Sequence, residues 1–206
     1  MLHWIEATRP HLEDAVLRNM FEARKRVFVD LLGWDVPVLA GRYEIDQFDT
    51  VDATYLVLTD HNGAHRASAR LLPTTRPHLL DTLYAPLCEG EIPRGTDIYE
   101  ITRFCLERTL TARERRIARD QLVTALATFG LANGIARYTG VAEPAWLDQV
   151  LAFGWHCRRL GADRVIGGVA LGALEIEITS DTPRLLVQSG ISAPLPSVAP
   201  EMCHVF

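Results

Sequence analysis

The stretch Tyr99-Glu100-Ile101-Thr102-Arg103-Phe104 lies inside a β-type apolar run, Asp97 to Leu106, and carries a carboxylate and a guanidinium three residues apart. Charged side chains are almost never fully buried unless they are paired, so Glu100 and Arg103 require partners from other segments. A regular strand would point them to opposite faces. A β-bulge near Ile101-Thr102 would bring them to one face, and we favour it because bulges concentrate beside active sites.

The segments on either side of this strand predict a sheet with helices. Ala53 to Thr59 is apolar on both faces, and the turn sequence Asp60 to Gly63 returns the chain as an antiparallel strand, Ala67 to Leu72. After the central strand, Thr111 and Glu114 have the spacing of a capping box, which starts a helix. The other predicted elements are a helix opened by Pro10, a helical turn within Leu79 to Leu87, strands at Ile135–Ala142, Trp155–Leu160 and Ala173–Thr179, and helices from Pro144 and Pro183. This order predicts a three-layer α/β/α sandwich around a mixed sheet.

Composition limits the class of protein. The chain has 206 residues, of which 48% are hydrophobic, and a formal net charge of −5. These values predict a single domain over residues 1–206, with a poorly ordered Pro- and Ser-rich tail from about Ala193. The negative charge argues against broad binding to nucleic acid or membrane surfaces, and the lack of a long apolar run or signal-peptide pattern predicts a cytoplasmic protein.

Cysteine and histidine spacing gives no sign of a metal or redox site. The four cysteines are far apart in the sequence, and the seven histidines form no His-x-x-x-His pair. Structural zinc sites and redox motifs need closely spaced ligands or thiols. We therefore expect reduced cysteines and no bound metal.

Several charged residues stand in apolar settings and balance one another. The arginines are Arg24, Arg70 and Arg103, and the acids are Asp46, Asp49 and Glu100. A buried network of these six would be costly to assemble but could orient a polar ligand or tune a carboxylate. The alternative is a set of ordinary surface ion pairs, and the sequence alone leaves both open.

Five short motifs, in their order and spacing, resemble one known family. They are Arg24-x-x-Val27-Phe28, Gly33-Trp34, Glu44-x-Asp46-x-x-Asp49, Ser68-x-Arg70-Leu71-Leu72-Pro73-Thr74 and Glu100-x-x-Arg103-Phe104. The family is the acyl-homoserine-lactone synthases (LuxI-type autoinducer synthases), and the resemblance runs from about Met20 to Gly161. It implies a bacterial cytoplasmic enzyme with an acetyltransferase (GNAT)-like fold. Such an enzyme transfers a fatty acyl chain from acyl-acyl-carrier protein, or in a few members from acyl-CoA, to S-adenosylmethionine. It releases an N-acyl-homoserine lactone, a quorum-sensing signal, and 5′-methylthioadenosine.

The resemblance also implies roles for individual residues. Arg24, Phe28 and Trp34 would help form the pocket for S-adenosylmethionine, which is a substrate, and no cofactor is implied. The ion-pair scaffold around this pocket would consist of Asp46, Asp49, Arg70 and Arg103. Glu100 is the candidate base, because attack on a thioester requires the substrate α-amine to lose a proton, directly or through one water.

The acyl chain would lie among apolar residues in the middle of the chain. The candidates are Tyr84, Leu122, Leu126, Gly140, Trp146, Leu147 and Leu151. Apolar residues at helical spacing are also what a core requires, so the helical candidates have a second interpretation. Tyr84 stands where the family usually has Phe or Met, and Gly140 where a small hydroxyl residue or Ala influences 3-oxo preference. Gly140 cannot donate a side-chain hydrogen bond, which argues against a 3-oxo substrate.

One basic cluster lies at the start of the helix after the central strand, at Arg113, Arg115, Arg116 and Arg119. It is a docking site for an acidic carrier protein or, equally, a solvated helix end. The Arg/Gln-x-x-Gly-x-Gly/Ala sequence of ordinary CoA acetyltransferases is missing after Phe104, which favours a carrier protein over CoA as donor. Two alternative functions remain: an acyl-CoA N-acyltransferase for another amine, and a non-catalytic small-molecule-binding module.

Overall fold

The structure is a computed structural model, and it describes residues 1–6, 14–191 and 194. The predicted helix start at Pro10 and, apart from Pro194, the tail predicted from about Ala193 lie outside the described residues. Within the described part of the chain, no helix is both long and apolar enough to cross a membrane.

The described elements include the strands and helices predicted after the first helix, in the predicted order, together with short strands that the sequence pattern does not predict. They are β1 (Leu2–Glu6), α1 (Ala15–Arg24), β2 (Val38–Leu39), β3 (Tyr43–Glu44), β4 (Thr54–Thr59), β5 (His65–Pro73), α2 (Leu79–Thr82), β6 (Ile98–Leu106), α3 (Ala112–Ala132), β7 (Arg137–Ala142), α4 (Pro144–Leu151), β8 (Cys157–Arg159), β9 (Arg164–Ile166), β10 (Val169–Glu177) and α5 (Thr182–Gln188). Helix α1 continues into one π-helical turn, Lys25–Val29, and a 3₁₀ turn, Ala85–Leu87, follows α2.

The chain forms two compact units. The first contains Met1–Leu71 and Arg103–Leu122, and the second contains Leu72–Thr102 and Val123–Ser192. Strands β5 and β6 and helix α3 each begin in one unit and end in the other. The single domain inferred from length stays a prediction.

The strands build a mixed sheet. In the first unit β1 and β5 are both antiparallel neighbours of β4. In the second unit β6 runs parallel to β7, whereas β10 is antiparallel to β7, β8 and β9. Parallel neighbours require a crossover connection, and α3 supplies it between β6 and β7.

Strand register separates the second unit's side chains into two faces. Thr139 of β7 lies opposite both Glu100 of β6 and Glu175 of β10, and directly opposed residues point to the same side. We call this side the glutamate face. The other side, which we call the glycine face, carries Gly140 and Gly172.

Both faces are covered. On the glutamate face Ala173 packs with Leu80 and Leu87 in a hydrophobic cluster, so the α2 segment forms one layer. On the glycine face the Tyr138 hydroxyl donates to the carbonyl oxygen of Leu126 on α3 at 3.0 Å, and α4 approaches Gly172. The predicted α/β/α layering around a mixed sheet is confirmed.

Strand β6 is irregular at one residue. Ile98, Glu100 and Thr102 are buried in strict alternation, but the next buried residue is Cys105, so the alternation changes phase. Between them Arg103 has a φ of +51°, in the left-handed region that side chains other than glycine rarely adopt. The interruption expected just before Arg103 therefore falls at Arg103 itself.

Candidate active site

Six charged side chains of the first unit form one buried cluster, which we call the charge ring. Its members are Arg24, Glu44, Arg103, Asp46, Arg70 and Asp49. In this order each residue pairs with the next, and the last pairs with the first, so every acid lies between two arginines. The network interpretation is therefore confirmed over that of surface ion pairs.

Arg24 is the most firmly held member. Its Nε donates to Glu44 Oε2 at 2.5 Å, and its terminal nitrogens donate to the two carboxylate oxygens of Asp49 at 2.8 and 2.9 Å. The side chains of Arg24 and Glu44 are both fully buried. Because charge-assisted bidentate pairs constrain direction as well as distance, Arg24 is a rigid part of the fold.

Arg70 and Arg103 complete the ring through Asp46. Arg70 Nη1 donates to Asp46 Oδ1 at 2.6 Å and lies 2.8 Å from Asp49 Oδ1. Arg103 Nη2 donates to Asp46 Oδ2 at 2.6 Å and to Glu44 Oε1 at 3.0 Å. Two carboxylates thus hold the side chain of the one residue at which β6 departs from regular geometry.

Local hydrogen bonds place the acids. Asp46 and Asp49 close their own turn, since the Asp46 N–H donates to Asp49 Oδ2 and the Phe48 N–H donates to Asp46 Oδ1, both at 2.8 Å. The Tyr55 hydroxyl donates to Asp49 Oδ1 at 2.9 Å. Short polar side chains favour such turns, which is why this acidic segment is unsuited to a long strand.

Glu44 belongs to the ring, although sequence reasoning assigned it no role. It ends the two-residue strand β3, which pairs with β2 through a turn containing Ala40 at a φ of +51°. The sequence pattern predicts Glu100, and not Glu44, as the third acid of the network. The available signal was the Glu44-x-Asp46-x-x-Asp49 motif itself, because two-residue strands show no apolar alternation that predicts burial.

The ring favours the charged forms of Asp46, Asp49, Arg24 and Arg70. Burial disfavours charge, but Arg24 and Arg70 together hold the pKa of Asp49 well below its ordinary value. The pKa of Asp46 is also lowered against the effect of burial, mainly by hydrogen bonding to Arg70. Asp49 in turn raises the pKa of both Arg24 and Arg70, although burial opposes this. Opposite charges at hydrogen-bond distance outweigh desolvation here.

Two aromatic side chains, Phe28 and Trp34, lie against Arg103 of the charge ring. Phe28, on the π-helical turn, stacks on Trp34 with centroids 4.7 Å apart and an interplanar angle of 14°. The Arg103 guanidinium carbon lies 5.6 Å from the centroid of Phe28 and 5.7 Å from that of Trp34. This is cation–π distance, so Arg103 links the charge ring to the aromatic pair.

Glu100 has different partners from those we expected. Its carboxylate accepts hydrogen bonds from the backbone N–H groups of Leu79 at 2.7 Å and Leu80 at 2.8 Å, and it is fully buried. Glu100 thus anchors the first turn of α2. The requirement that Glu100 and Arg103 each have partners from other segments is met, but for Glu100 those partners include backbone donors.

Two buried polar groups near Glu100 were not foreseen from the sequence. Thr139, opposite Glu100 on the glutamate face, and His78, which precedes α2, are both fully buried. Within the described residues Thr139 Oγ1 and His78 Nε2 have no hydrogen-bond partner. Since His78 Nδ1 lies 2.9 Å from the Arg76 carbonyl oxygen, which can only accept, Nε2 is the acceptor nitrogen in the neutral ring.

The acyl-pocket candidates do not share one face. Tyr84 packs against the cluster on the glutamate face, whereas Gly140 and the α4 residue Leu147 belong to the glycine face. Alternation along β7 and β10 is the reason, because adjacent strand residues point to opposite sides. Leu126 and, in the first unit, Leu122 are buried, and Trp146 and Leu151 are half-buried.

The basic cluster on α3 divides into exposed and engaged arginines. Arg113 and Arg116 are exposed. Arg115 Nη2 donates to the Arg108 carbonyl oxygen at 3.1 Å, and Arg119 Nη2 donates to Asp120 Oδ1 at 2.7 Å. Arg113 and Arg116 lie three residues apart and are therefore neighbours on the helix surface.

The structure offers no metal centre within the described residues, where no three His, Cys, Asp or Glu side chains are placed to hold an ion. Cys88, Cys105 and Cys157 are free thiols. Burial raises the pKa of Cys105 and of Cys157 to about 12, so both are unreactive thiols at neutral pH.

Comparison with known proteins gives the same family as the sequence motifs. The family model described as "Autoinducer synthase" matches residues 9–183. An acyl-homoserine-lactone synthase of Ralstonia nicotianae is 33% identical over 187 residues, which cover 88% of this chain and 91% of that protein.

Solved structures agree in fold. The CoA-dependent acyl-homoserine lactone synthase BjaI, in a structure with SAM and isopentyl-CoA, superposes with a TM-score of 0.81 at 27% identity, over 97% of this chain and 92% of that one. A putative N-acetyltransferase from Lactobacillus plantarum has a TM-score of 0.62 at 16% identity, over 87% of this chain and 98% of that one, which shows the fold alone. The predicted acetyltransferase-like fold is confirmed. The chain, with its ring of buried charges, belongs to the autoinducer synthase family of acyl-homoserine-lactone synthases and is an acyltransferase.

Proposed function

We propose that this enzyme acylates the α-amine of S-adenosylmethionine and closes the product to a lactone, releasing 5′-methylthioadenosine. It would act in the cytoplasm, where both substrates are made. The observation that carries the proposal is the charge ring, which holds Arg103 against the stacked rings of Phe28 and Trp34. The BjaI structure with SAM and isopentyl-CoA supports it, because that similar protein binds both substrate classes.

The S-adenosylmethionine site would lie at Phe28 and Trp34. Trp34 is 37% exposed, so one of its ring faces can receive the adenine or the sulfonium of the substrate. Arg103 has the most exposed side chain of the ring's three arginines, at 8%, and is the one best placed to orient a ligand. Arg24 would be a positioning residue that acts on Arg103 through their shared partner Glu44, since the Arg24 guanidinium is enclosed by Glu44 and Asp49.

Transfer requires an acceptor for one proton. The α-amine nitrogen attacks the thioester carbonyl carbon, the carbon–sulfur bond of the donor breaks, and the thiol leaves with a proton. Glu100 would accept the amine proton, directly or through one water, and its bonds to the Leu79 and Leu80 N–H groups would hold the carboxylate in place.

Lactone formation needs geometry more than acid–base chemistry. A carboxylate oxygen of the acylated substrate attacks its own γ-carbon, the bond from that carbon to sulfur breaks, and neutral methylthioadenosine leaves with the electron pair. Holding the two reacting atoms in contact converts this into a fast intramolecular step. We assign that positioning to the pocket that Arg103, Phe28 and Trp34 would form.

The acyl donor is a thioester of carrier protein or of CoA. We propose acyl-acyl-carrier protein, because Arg113 and Arg116 leave two exposed positive charges on α3 for an acidic partner. Likeness to the CoA-dependent BjaI makes acyl-CoA the second candidate.

The assay follows both products. Purified protein with S-adenosylmethionine and either hexanoyl-carrier protein or hexanoyl-CoA should yield methylthioadenosine and an acyl-homoserine lactone in equal amounts, measured by mass spectrometry. Reactions without the acyl donor are the control. Failure to form either product with any acyl donor would overturn the proposal, and an N-acylated product with no methylthioadenosine would indicate an ordinary N-acyltransferase.

A further inference from the structure

A cavity separate from the charge ring lies wholly within the second unit. Its volume is about 470 Å³, within the range of small-molecule sites, and it opens to solvent. It is lined by Cys88, by the segment from Gly90 to Arg94 and by side chains of three neighbouring strands, Arg137 of β7, Arg158 of β8 and Glu175 of β10. Neither the acyl-transfer chemistry nor the family motifs use these residues.

Glu175 organises the charged part of this cavity. It is 3% exposed and accepts hydrogen bonds from Arg137 Nη1 to Oε2 at 3.1 Å and from Arg158 Nη2 to Oε1 at 2.8 Å. The register explains this, because Arg158 lies directly opposite Glu175 on one side. A buried carboxylate that holds one guanidinium with each oxygen fixes both arginines at the cavity wall.

The arginines retain capacity for a ligand. Each guanidinium has five N–H groups, and the described bond to Glu175 uses one nitrogen of each. The side chains of Arg137 and Arg158 are 39% and 64% exposed. Arg94 also lines the cavity but pairs with Asp81 at 3.6 Å, so the groups available to an anion are Arg137 and Arg158, which share the single carboxylate of Glu175.

Apolar side chains form the smaller part of the exposed lining, and they continue into the protein. Cys88, Ile92 and Leu160 line the cavity and also pack against the hydrophobic cluster of Leu80, Leu87 and Ala173. A site for a bare inorganic anion would have no use for apolar walls. A ligand with an anionic end and a short hydrocarbon body would satisfy both parts of the lining.

We propose that this cavity binds the carboxylate of a small organic acid through Arg137 and Arg158, with the hydrocarbon part of the acid against Ile92 and Leu160. The acid is either a free metabolite or the far end of an acyl chain that carries a terminal carboxylate. Binding of the free acid does not depend on the proposed function, whereas the second source does.

Calorimetric titration of the full chain with hexanoate tests the site, with hexanol as the uncharged control. Arg158→Gln should weaken hexanoate binding about 10-fold or more, because a charge-assisted bond is lost at an exposed side chain. Arg158→Lys keeps the positive charge at this exposed position and should retain most of the binding. Arg184→Gln, on exposed α5, is the matched control and should change nothing.

Retained binding in Arg158→Lys excludes a simple loss of folding as the cause of the effect of Arg158→Gln. The proposal fails if hexanoate does not bind at about 10 mM, if hexanol binds equally well, or if Arg158→Lys binds no better than Arg158→Gln. It also fails if inorganic phosphate binds as tightly as hexanoate, because the apolar walls would then contribute nothing.

Enzyme kinetics separate the two sources of the acid. If the ligand is an acyl end, Arg158→Gln should lower kcat/KM for adipoyl-CoA about 10-fold relative to hexanoyl-CoA. If the ligand is a free acid, that ratio stays constant while hexanoate binding is lost. Either result supports the site, and failure of both donors to react would count against the proposed function only.

Discussion

Arg24 donates through Nε to Glu44 Oε2 at 2.5 Å, and neither side chain is exposed by more than 1%. Glu44 also accepts from Arg103, so one carboxylate joins the buried interior of the charge ring to the residue that faces the aromatic pair. Because the ring is closed, loss of any one acid leaves two arginines with a single carboxylate each. A substitution at Glu44 or Asp46 therefore also removes a partner of Arg103.

Glu44→Gln should therefore lower both stability and activity. Breaking a buried ion pair by removing one partner costs about 3–5 kcal/mol in the free energy of unfolding, because the remaining charges stay desolvated. Urea unfolding measures this. Arg42→Gln is the control, since the side chain of Arg42 is 65% exposed and loss of its surface pair with Glu22 should cost under about 1 kcal/mol. Equal losses in the free energy of unfolding for both variants would show that the buried ring stabilises the fold no more than an exposed ion pair does.

Glu100→Gln should reduce turnover by about 100-fold or more if Glu100 is the base. The amide also presents an NH₂ group that cannot accept from the N–H groups of Leu79 and Leu80, so the anchor of α2 is weakened as well. Asp81→Asn separates the two effects, because Asp81 holds the same turn through the His78 N–H at 2.9 Å. We expect it to lower the rate less than about 10-fold. An unchanged rate for Glu100→Gln would remove the residue from the base role.

Stability should fall as the pH is lowered, because of His65 and Glu107. Burial holds the pKa of His65 below its ordinary value of 6.5, so below that pH the unfolded chain binds a proton that the folded protein does not. His65 and Arg26 lower the pKa of Glu107 from 4.5 to about 2, which extends the loss to lower pH.

The measurement is the free energy of unfolding in urea at pH 7.5, 6.5 and 5.5. His65→Gln should flatten the dependence between these values, and His61→Gln, in the exposed hairpin turn, should leave the slope as it is in the wild type. A slope that His65→Gln does not alter would place the acid sensitivity elsewhere.

An alanine at Gly172 should cost more stability than an alanine at Gly140. A Cβ at Gly172 would lie 2.6 Å from Leu147 Cδ1 and closer still to Asp163, but a Cβ at Gly140 would meet only the Ile101 carbonyl oxygen at 3.5 Å and Leu174 Cδ1 at 3.9 Å. Gly172→Ala should therefore cost about 1–3 kcal/mol, the range for overpacking, and Gly140→Ala under about 1 kcal/mol. Thermal unfolding of the two variants measures these costs. A larger cost for Gly140→Ala than for Gly172→Ala would contradict the close approach of α4 to β10.

Charge reversal at Arg113 and Arg116 tests carrier-protein docking. The double change to Glu should raise KM for acyl-carrier protein about 10-fold at low salt and leave KM for acyl-CoA unchanged, because CoA is too small to span the helix surface. The same change at Arg184 is the control. Equal effects on both donors would rule out docking at these arginines.

Apolar patterning and turn chemistry determined most of the secondary structure. In the hairpin between β4 and β5 the Asp60 N–H donates to the Ala64 carbonyl oxygen at 2.9 Å, and Gly63 has a φ of +79°, as its turn sequence predicts. The capping box is also formed, with the Glu114 N–H 3.3 Å from Thr111 Oγ1 and the Thr111 N–H 3.0 Å from Glu114 Oε2. These interactions are local, so their spacing in the sequence is sufficient to predict them.

The partners of the charges could not be derived in this way. Glu44 lies 20 residues from Arg24 and 59 from Arg103, and apart from its place in the Glu44-x-Asp46-x-x-Asp49 motif nothing in its neighbourhood distinguishes it from a surface acid. Its place in the ring depends on where β3 lies relative to β6. Residue types therefore predict that the charges need partners, but only the packed chain selects the partners.

For this protein, the amino-acid sequence by itself determined the α/β/α layers and the family. The tertiary structure decided three further points: that Glu44 closes the charge ring, that Glu100 holds the start of α2, and that Arg103 carries the irregular backbone of β6. Short-range patterns follow from backbone and side-chain chemistry along the chain. Pairing between distant charges follows from strand register, which is set only when the whole sheet has formed.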